Sequence, residues 1–299
     1  MTSIDDFAFT RYLYSIIDVR QSLLMALLDR DRDEALFWVY ELYFSSEGRA
    51  TFDYVIQIYE YLYKRHNPEF ETFINNLLLE WEKDPELHHH HIGTIVWNLC
   101  GRDYCVATFI NEILHAKAFP VPIEKPRKKL KMYLKPEDVD KYKTIIADAG
   151  KAYTVPRKAC LYPIRKNVHN IFSTFVPKNI QEVYTRQWEY YSNKTPVWQN
   201  RFEISSASFN DETQEITFGR ENGISSCDNQ EQFYDCWGYE PDEQPISLKE
   251  KWMGTGKEVQ LTLKEFAEKY GATISIKIRV NKKKPILENT IEISETTHK

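Results

Sequence analysis

From Tyr12 to Leu114 the apolar side chains recur three and four residues apart in six successive runs, with Asp, Asn, Pro or Gly between most of them. This spacing gathers them on one stripe of a helix, so the segment must fold as amphipathic helices that cover one another. The first run holds Tyr12, Ile16, Leu23, Leu24, Leu27 and Leu28. The second opens at Asp31-Arg32-Asp33-Glu34, where Asp31 can cap and Glu34 sits at the capping-box offset, and continues through Leu36, Val39 and Leu42. A third run (Phe52, Val55, Tyr59, Leu62) stops at His66-Asn67-Pro68. Asn67 can cap the fourth (Phe70, Phe73, Leu77, Trp81), with Pro68 at its first position. Asp84-Pro85 restarts the chain for a fifth run ending at Gly101, and Asp103 caps a sixth carrying Val106, Phe109, Ile110 and Ile113.

Hairpins of two helices therefore begin near residues 10, 49 and 86. A two-helix unit every ~35–40 residues is the signature of a helical repeat stack, although no residue-level consensus links the units. Residues 1–118 are expected to form a HEAT-like helical-hairpin domain; a six-helix globular bundle is the alternative. Pro120, Pro122 and Pro126 then mark an extended, basic linker, 119–135. Residues 136–299 form a mixed α+β region, so the whole chain reads as mainly α.

Within that region, Pro136 opens a helix through Val139, Tyr142, Ile145 and Ile146, closed by Gly150. Residues 164–176 also read as helical, and Asn179 to Tyr191 place Ile180, Val183, Tyr184 and Trp188 on one face. Phe202-Glu203-Ile204 and Glu215-Ile216-Thr217-Phe218 alternate around the turn residues Asn210-Asp211-Glu212 and predict a β-hairpin. Gln230 to Trp237 form a short helix. Thr262 caps another that Gly271 ends. Residues 273–278 read as a strand, with 290–294 as its return.

Charge is segregated along the chain. Residues 1–118 carry a net −9, 119–186 a net +9, 187–272 a net −8 and 273–299 a net +3, although the total is only −5. Such blocks mark separate surfaces for separate partners, or a basic segment that docks on the acidic ones. No apolar run reaches 18 residues, and the acidic start Met1 to Phe9 lacks a signal core, so a soluble intracellular chain is expected. Five cysteines without a clustered framework argue against a disulfide-stapled module.

No catalytic motif is visible. Gly254-Thr255-Gly256-Lys257 lacks the spacing of a phosphate loop, and no G-x-S-x-G, H-E-x-x-H or kinase signature occurs. Cys100, Cys105, Cys227 and Cys236 are too widely spaced for a four-cysteine zinc site. His88-His89-His90-His91 offers an i,i+3 pair, but no cysteine or carboxylate stands at a recognisable ligand spacing. A solvated turn is the expectation, with no metal and no cofactor.

The positive lead is the basic segment. Arg127, Lys128, Lys129, Lys131 and Lys135 surround Tyr133. Lys151, Arg157, Lys158, Arg165 and Lys166 continue the pattern with Tyr153 and Tyr162. Cations that follow phosphates and rings that stack on bases suit single-stranded nucleic acid. The candidate nucleic-acid contacts are Arg127, Lys128, Lys129, Lys131, Tyr133, Lys135, Arg157 and Lys158. Trp38 with Glu41, and Tyr239 with Asp242 in the acidic turn 238–244, are candidate protein-binding residues. Burial of Trp38 between hairpins is the competing reading.

Asp33-Glu34-Ala35-Leu36-Phe37-Trp38-Val39-Tyr40-Glu41-Leu42-Tyr43-Phe44-Ser45 resembles a segment of uncharacterised proteins of nucleocytoplasmic large DNA viruses, the giant viruses. Tyr239-Glu240-Pro241-Asp242-Glu243-Gln244 resembles a second segment shared by that family. The resemblance implies a viral protein of the infected-cell cytoplasm or viral factory, and no activity carries over with it. The resulting expectation is a non-enzymatic scaffold or adaptor that binds a protein partner through stacked helices and RNA through its basic middle. A virion structural component, or an enzyme of nucleic-acid or nucleotide metabolism with its site in the C-terminal region, are the alternatives.

Overall fold

A computed structural model describes residues 7–46, 48–127, 130–143, 151–219 and 226–275. The chain is mainly helical, with two small antiparallel strand pairs. Six helices form the N-terminal half: α1 (Ile16–Asp29), α2 (Arg32–Tyr43), α3 (Gly48–Ile58, extended by a π turn Tyr59–Tyr63), α4 (Phe70–Lys83), α5 (His90–Cys100) and α6 (Val106–Glu112). The predicted punctuation holds in part: Asn67 does not cap α4, which starts from Glu69, and instead donates its side-chain amide to the Tyr63 and Asp103 carbonyls. The Asp31 carboxylate caps α2 by accepting from the Glu34 amide, and Gly101 is the C-cap of α5. Asp103 does not cap α6, which starts from Cys105; its carboxylate pairs with Arg30 and Arg127 instead.

The helices do not stack as a linear repeat. In a solenoid each unit touches only its neighbours. Here α5, from the third hairpin, packs directly on α2 and also reaches α1, both from the first. From Glu34 to Leu42 every residue of α2 is buried, so that helix is enclosed on all sides. The HEAT-like arrangement gives way to a bundle built around α2. Gly93 permits the closest approach on α5, since a Cβ there would collide with the Tyr40 hydroxyl and with Leu134.

Beyond α6 come β1 (Ala118–Pro120), a 3₁₀ turn Pro136–Tyr142, a second, Ala152–Thr154, and helices α7 (Val155–Ala159), α8 (His169–Phe172), α9 (Ile180–Arg186), α10 (Trp188–Ser192) and α11 (Pro196–Ile204). The strands β2 (Ala207–Asn210) and β3 (Glu215–Phe218), helices α12 (Ser226–Trp237), α13 (Ile246–Met253) and α14 (Leu263–Lys269), and β4 (Ala272–Ile274) follow among the described residues. The hairpin is present, but Phe202–Ile204 belong to α11, where Phe202 stacks on Phe233, and the first strand starts at 207. Helical structure in 164–176 is confined to α8. Ile145, Ile146 and Gly150, and the strand positions from 276 onward, lie outside the described residues.

One contiguous hydrophobic core, from Phe7 to Ala272, runs through both halves, so the expected boundaries at 118 and 135 do not separate cores. The segment 7–15 threads between them. Its backbone carbonyls accept from Trp198 Nε1 (at Thr10, 2.9 Å), the Tyr184 hydroxyl (at Leu13, 2.6 Å) and Thr195 Oγ1 (at Phe9, 3.0 Å). β1 pairs with β4, joining the end of the bundle to residues 272–274. Part of the basic segment docks inward: Arg165 forks onto Glu34 and reaches Asp29, closing the C-terminal half against α1 and α2. Among the described residues no helix is long and apolar enough to cross a membrane.

Candidate functional site

Four separate stretches meet at a cleft of about 320 Å³. Arg11 comes from the segment before α1, Asp33 and Phe37 from α2, Lys141, Tyr142 and Lys143 from the end of the first 3₁₀ turn, and Lys158 and Tyr162 from α7 and the loop after it. Arg11 is 3% exposed and Glu41, beside it, 1%. Their ion pair (Nε to Oε2, 2.9 Å) neutralises two charges that could not be buried singly. Arg11 Nη2 donates to the Tyr142 carbonyl at 2.7 Å, and the guanidinium lies 4.7 Å over the Tyr12 ring and 4.8 Å over Phe44. Its Nη1 is buried and has no hydrogen-bond partner among the described residues.

The walls are aromatic. Tyr142 stacks on Tyr40 at 4.8 Å, and Tyr162 packs against Phe37 at 5.3 Å. Burial, followed by the nearby Asp33 carboxylate, pushes the Tyr142 hydroxyl up to about 12; burial and Asp31 raise Tyr162. Both hydroxyls therefore stay protonated and able to donate. Lys141, Lys143 and Lys158 are exposed at the rim. Lys143 pairs with Asp140 at 2.6 Å, Lys141 lies 4.9 Å over the Tyr142 ring, and Lys158 has no ion-pair partner among the described residues. Three rim lysines face the carboxylate of Asp33, while Glu41 neutralises Arg11 and Asp140 pairs with Lys143. That is an environment for an anion carrying a flat apolar group.

A strap leads to this cleft. Residues 130–134 run extended along α5, held through their backbone. Asn98 donates to the Met132 carbonyl (2.7 Å) and accepts from its amide (3.0 Å); Thr94 Oγ1 accepts from the Leu134 amide (3.0 Å). With the backbone so held, Leu130, Met132 and Tyr133 remain exposed, Tyr133 by 64%. Lys131 lies 5.1 Å over the Phe73 ring, and Tyr133 meets the same ring edge-on. Arg127 is anchored by Asp103, and the Lys135 amide donates to Asp138 at the start of the turn that carries Lys141. Arg157, on α7, lies over the Tyr153 ring and donates to its hydroxyl. Lys128 and Lys129 lie outside the described residues.

The residues expected to bind a protein fall differently. Trp38 is fully buried, with Nε1 donating to Glu34 at 2.9 Å. Glu41 serves Arg11. Tyr239 is buried against Trp198 at 5.6 Å. All three are spent on packing, and only Asp242 of that set is exposed. Sequence reading picked out Lys158 and Tyr162 but passed over Arg11, Lys141, Tyr142 and Lys143. Arg11 stands over 100 residues from its cleft partners Tyr142 and Lys158, with nothing but a lone cation to mark it.

No protein-family model, curated protein or solved structure matches the chain.

Proposed function

We propose that this chain is a nucleic-acid-binding adaptor whose cleft and strap hold single-stranded RNA. The observation that carries the reading is a cleft lined by Arg11, rimmed by three lysines and walled by tyrosines. Phosphate oxygens would meet the rim lysines, a base would lie against Tyr142 or Tyr162, and the strap would continue the track with Lys131, Tyr133 and Lys135. The exposed Leu130 and Met132 beside that track supply apolar contact for a protein partner of the adaptor. The giant-virus resemblance supports an activity in the host cytoplasm or viral factory.

The test is fluorescence anisotropy of labelled single-stranded RNA with the full chain across a salt titration, beside a Lys141→Ser/Lys143→Ser/Lys158→Ser variant. Losing three phosphate contacts lowers the slope of log affinity against log salt by about 2. RNA binding that is absent at low salt, or identical in affinity and slope for the variant, refutes the proposal.

A further inference from the structure

The four-histidine run does not form a solvated turn. His88, His90 and His91 present ring nitrogens that all lie within 4.8 Å of one another, and His91 is buried. The rings of His88 and His91 stack at 4.7 Å and 15°, and His90 meets His91 at 4.4 Å and 67°. His89 lies outside this group, with Nδ1 against the Glu86 carbonyl at 2.6 Å.

Three features distinguish the cluster from a chance contact of side chains. First, His91 Nδ1 lies 3.1 Å from the Leu77 carbonyl. That acceptor fixes the proton on Nδ1 and leaves the lone pair on Nε2, the arrangement by which an outer hydrogen bond orients a metal-binding imidazole. Second, Nδ1 of His88 and of His90, like Nε2 of His89 beside the group, are buried without a hydrogen-bond partner among the described residues. Such nitrogens cost stability unless something binds them. Third, a carboxylate is present after all. Glu80, on the last turns of α4, brings Oε2 to 3.6 Å from His91 Nε2. The sequence hides it because it stands eight residues upstream of His88, across the Asp84-Pro85 loop.

We infer that His88, His90, His91 and Glu80 form a zinc site that clamps the end of α4 to the start of α5. Three imidazoles and one carboxylate are a donor set suited to Zn²⁺ in a closed four-coordinate site. Tetrahedral bonds of about 2.0–2.1 Å place neighbouring ligand atoms about 3.3 Å apart. Glu80 and His91 are already near that spacing. Glu80 lies outside the three-histidine group whose donor atoms are within 4.8 Å of one another, so His88 and His90, only half-buried, would rotate to close the remainder. The Leu87 amide donates to Asp84 Oδ1 (3.0 Å) and the His88 amide to the Asp84 carbonyl (3.1 Å), so the loop that delivers the histidines is held without the metal.

The experiment titrates the full chain with Zn²⁺ against a chromophoric chelator and records the visible spectrum with Co²⁺ in its place. One equivalent should bind, and Co²⁺ should give the intense bands of a four-coordinate ion. Glu80→Gln and His90→Gln should each weaken binding at least about tenfold, and His89→Gln should leave it unchanged. Glu80 is exposed, so Glu80→Gln keeps the fold, and Zn²⁺ should raise the thermal midpoint of the wild type but not of this variant. Failure to bind one equivalent overturns the assignment. So does a His89→Gln variant that loses as much affinity as His90→Gln, which would signify chelation by an unstructured histidine run.

Discussion

Replacing Arg11 by Met strands a charge. Met fills nearly the same volume and keeps the contact with Tyr12 and Phe44, so packing loss is small. What remains is Glu41, 1% exposed, with the Tyr12 amide at 3.3 Å as its other hydrogen-bond donor. Removing one partner of a buried ion pair costs about 3–5 kcal/mol. The Tyr142 carbonyl also loses its donor, which overlaps with that range. We expect about 4 kcal/mol of destabilisation for Arg11→Met. The double variant Arg11→Met/Glu41→Leu removes the stranded carboxylate and should recover more than half of it, about 2–3 kcal/mol. Urea unfolding followed by both tryptophan fluorescence and far-UV circular dichroism reads these values, provided the two probes give one midpoint. A single variant that costs under about 1 kcal/mol refutes the reasoning, as does a double variant as unstable as the sum of the two singles. The double variant, folded but lacking the guanidinium, should also bind single-stranded RNA more weakly than the wild type.

Two further outcomes follow from the geometry. Asn98→Ala removes both hydrogen bonds to the Met132 backbone, so at a cost of about 1–3 kcal/mol the strap should loosen and trypsin should cut faster after Lys131; unchanged cleavage would show that the strap is held elsewhere. Burial pushes the Glu189 carboxyl up to about 7, with Tyr234 donating to it at 3.0 Å. Its folded pKa is thus above the unfolded one, so its stabilising contribution is complete below the ordinary carboxylate value and is lost as pH rises to about 7, by an amount on the order of 3 kcal/mol. Glu189→Gln should flatten that decline in denaturant midpoints measured across the window, and parallel wild-type and variant profiles would contradict it.

Local signals were the most legible. Asp31, Gly101 and Thr262 act through hydrogen bonds within a few residues, so their positions follow directly from the sequence. Thr273 belongs to the expected final strand, and β4 includes it, although the sequence did not reveal β1 as its partner. Misplaced boundaries have a common cause. Phe202 to Ile204 alternate like a strand, but Pro196 starts a helix whose Trp198 and Phe202 both find aromatic partners in α12. Tertiary packing overrode a three-residue pattern.

The sequence alone determined six N-terminal helices, their main stops, and a basic middle segment carrying tyrosines. Periodicity, capping chemistry and charge are written in residues close together along the chain. Tertiary structure decided which face of each helix met which neighbour. It enclosed α2 on every side, which turned Trp38 and Glu41 into interior groups. It brought Arg11 beneath Lys158, and Glu80 beside His91. Those juxtapositions depend on how distant segments pack, and packing is settled by shape and burial summed over the whole core, which no local spacing records.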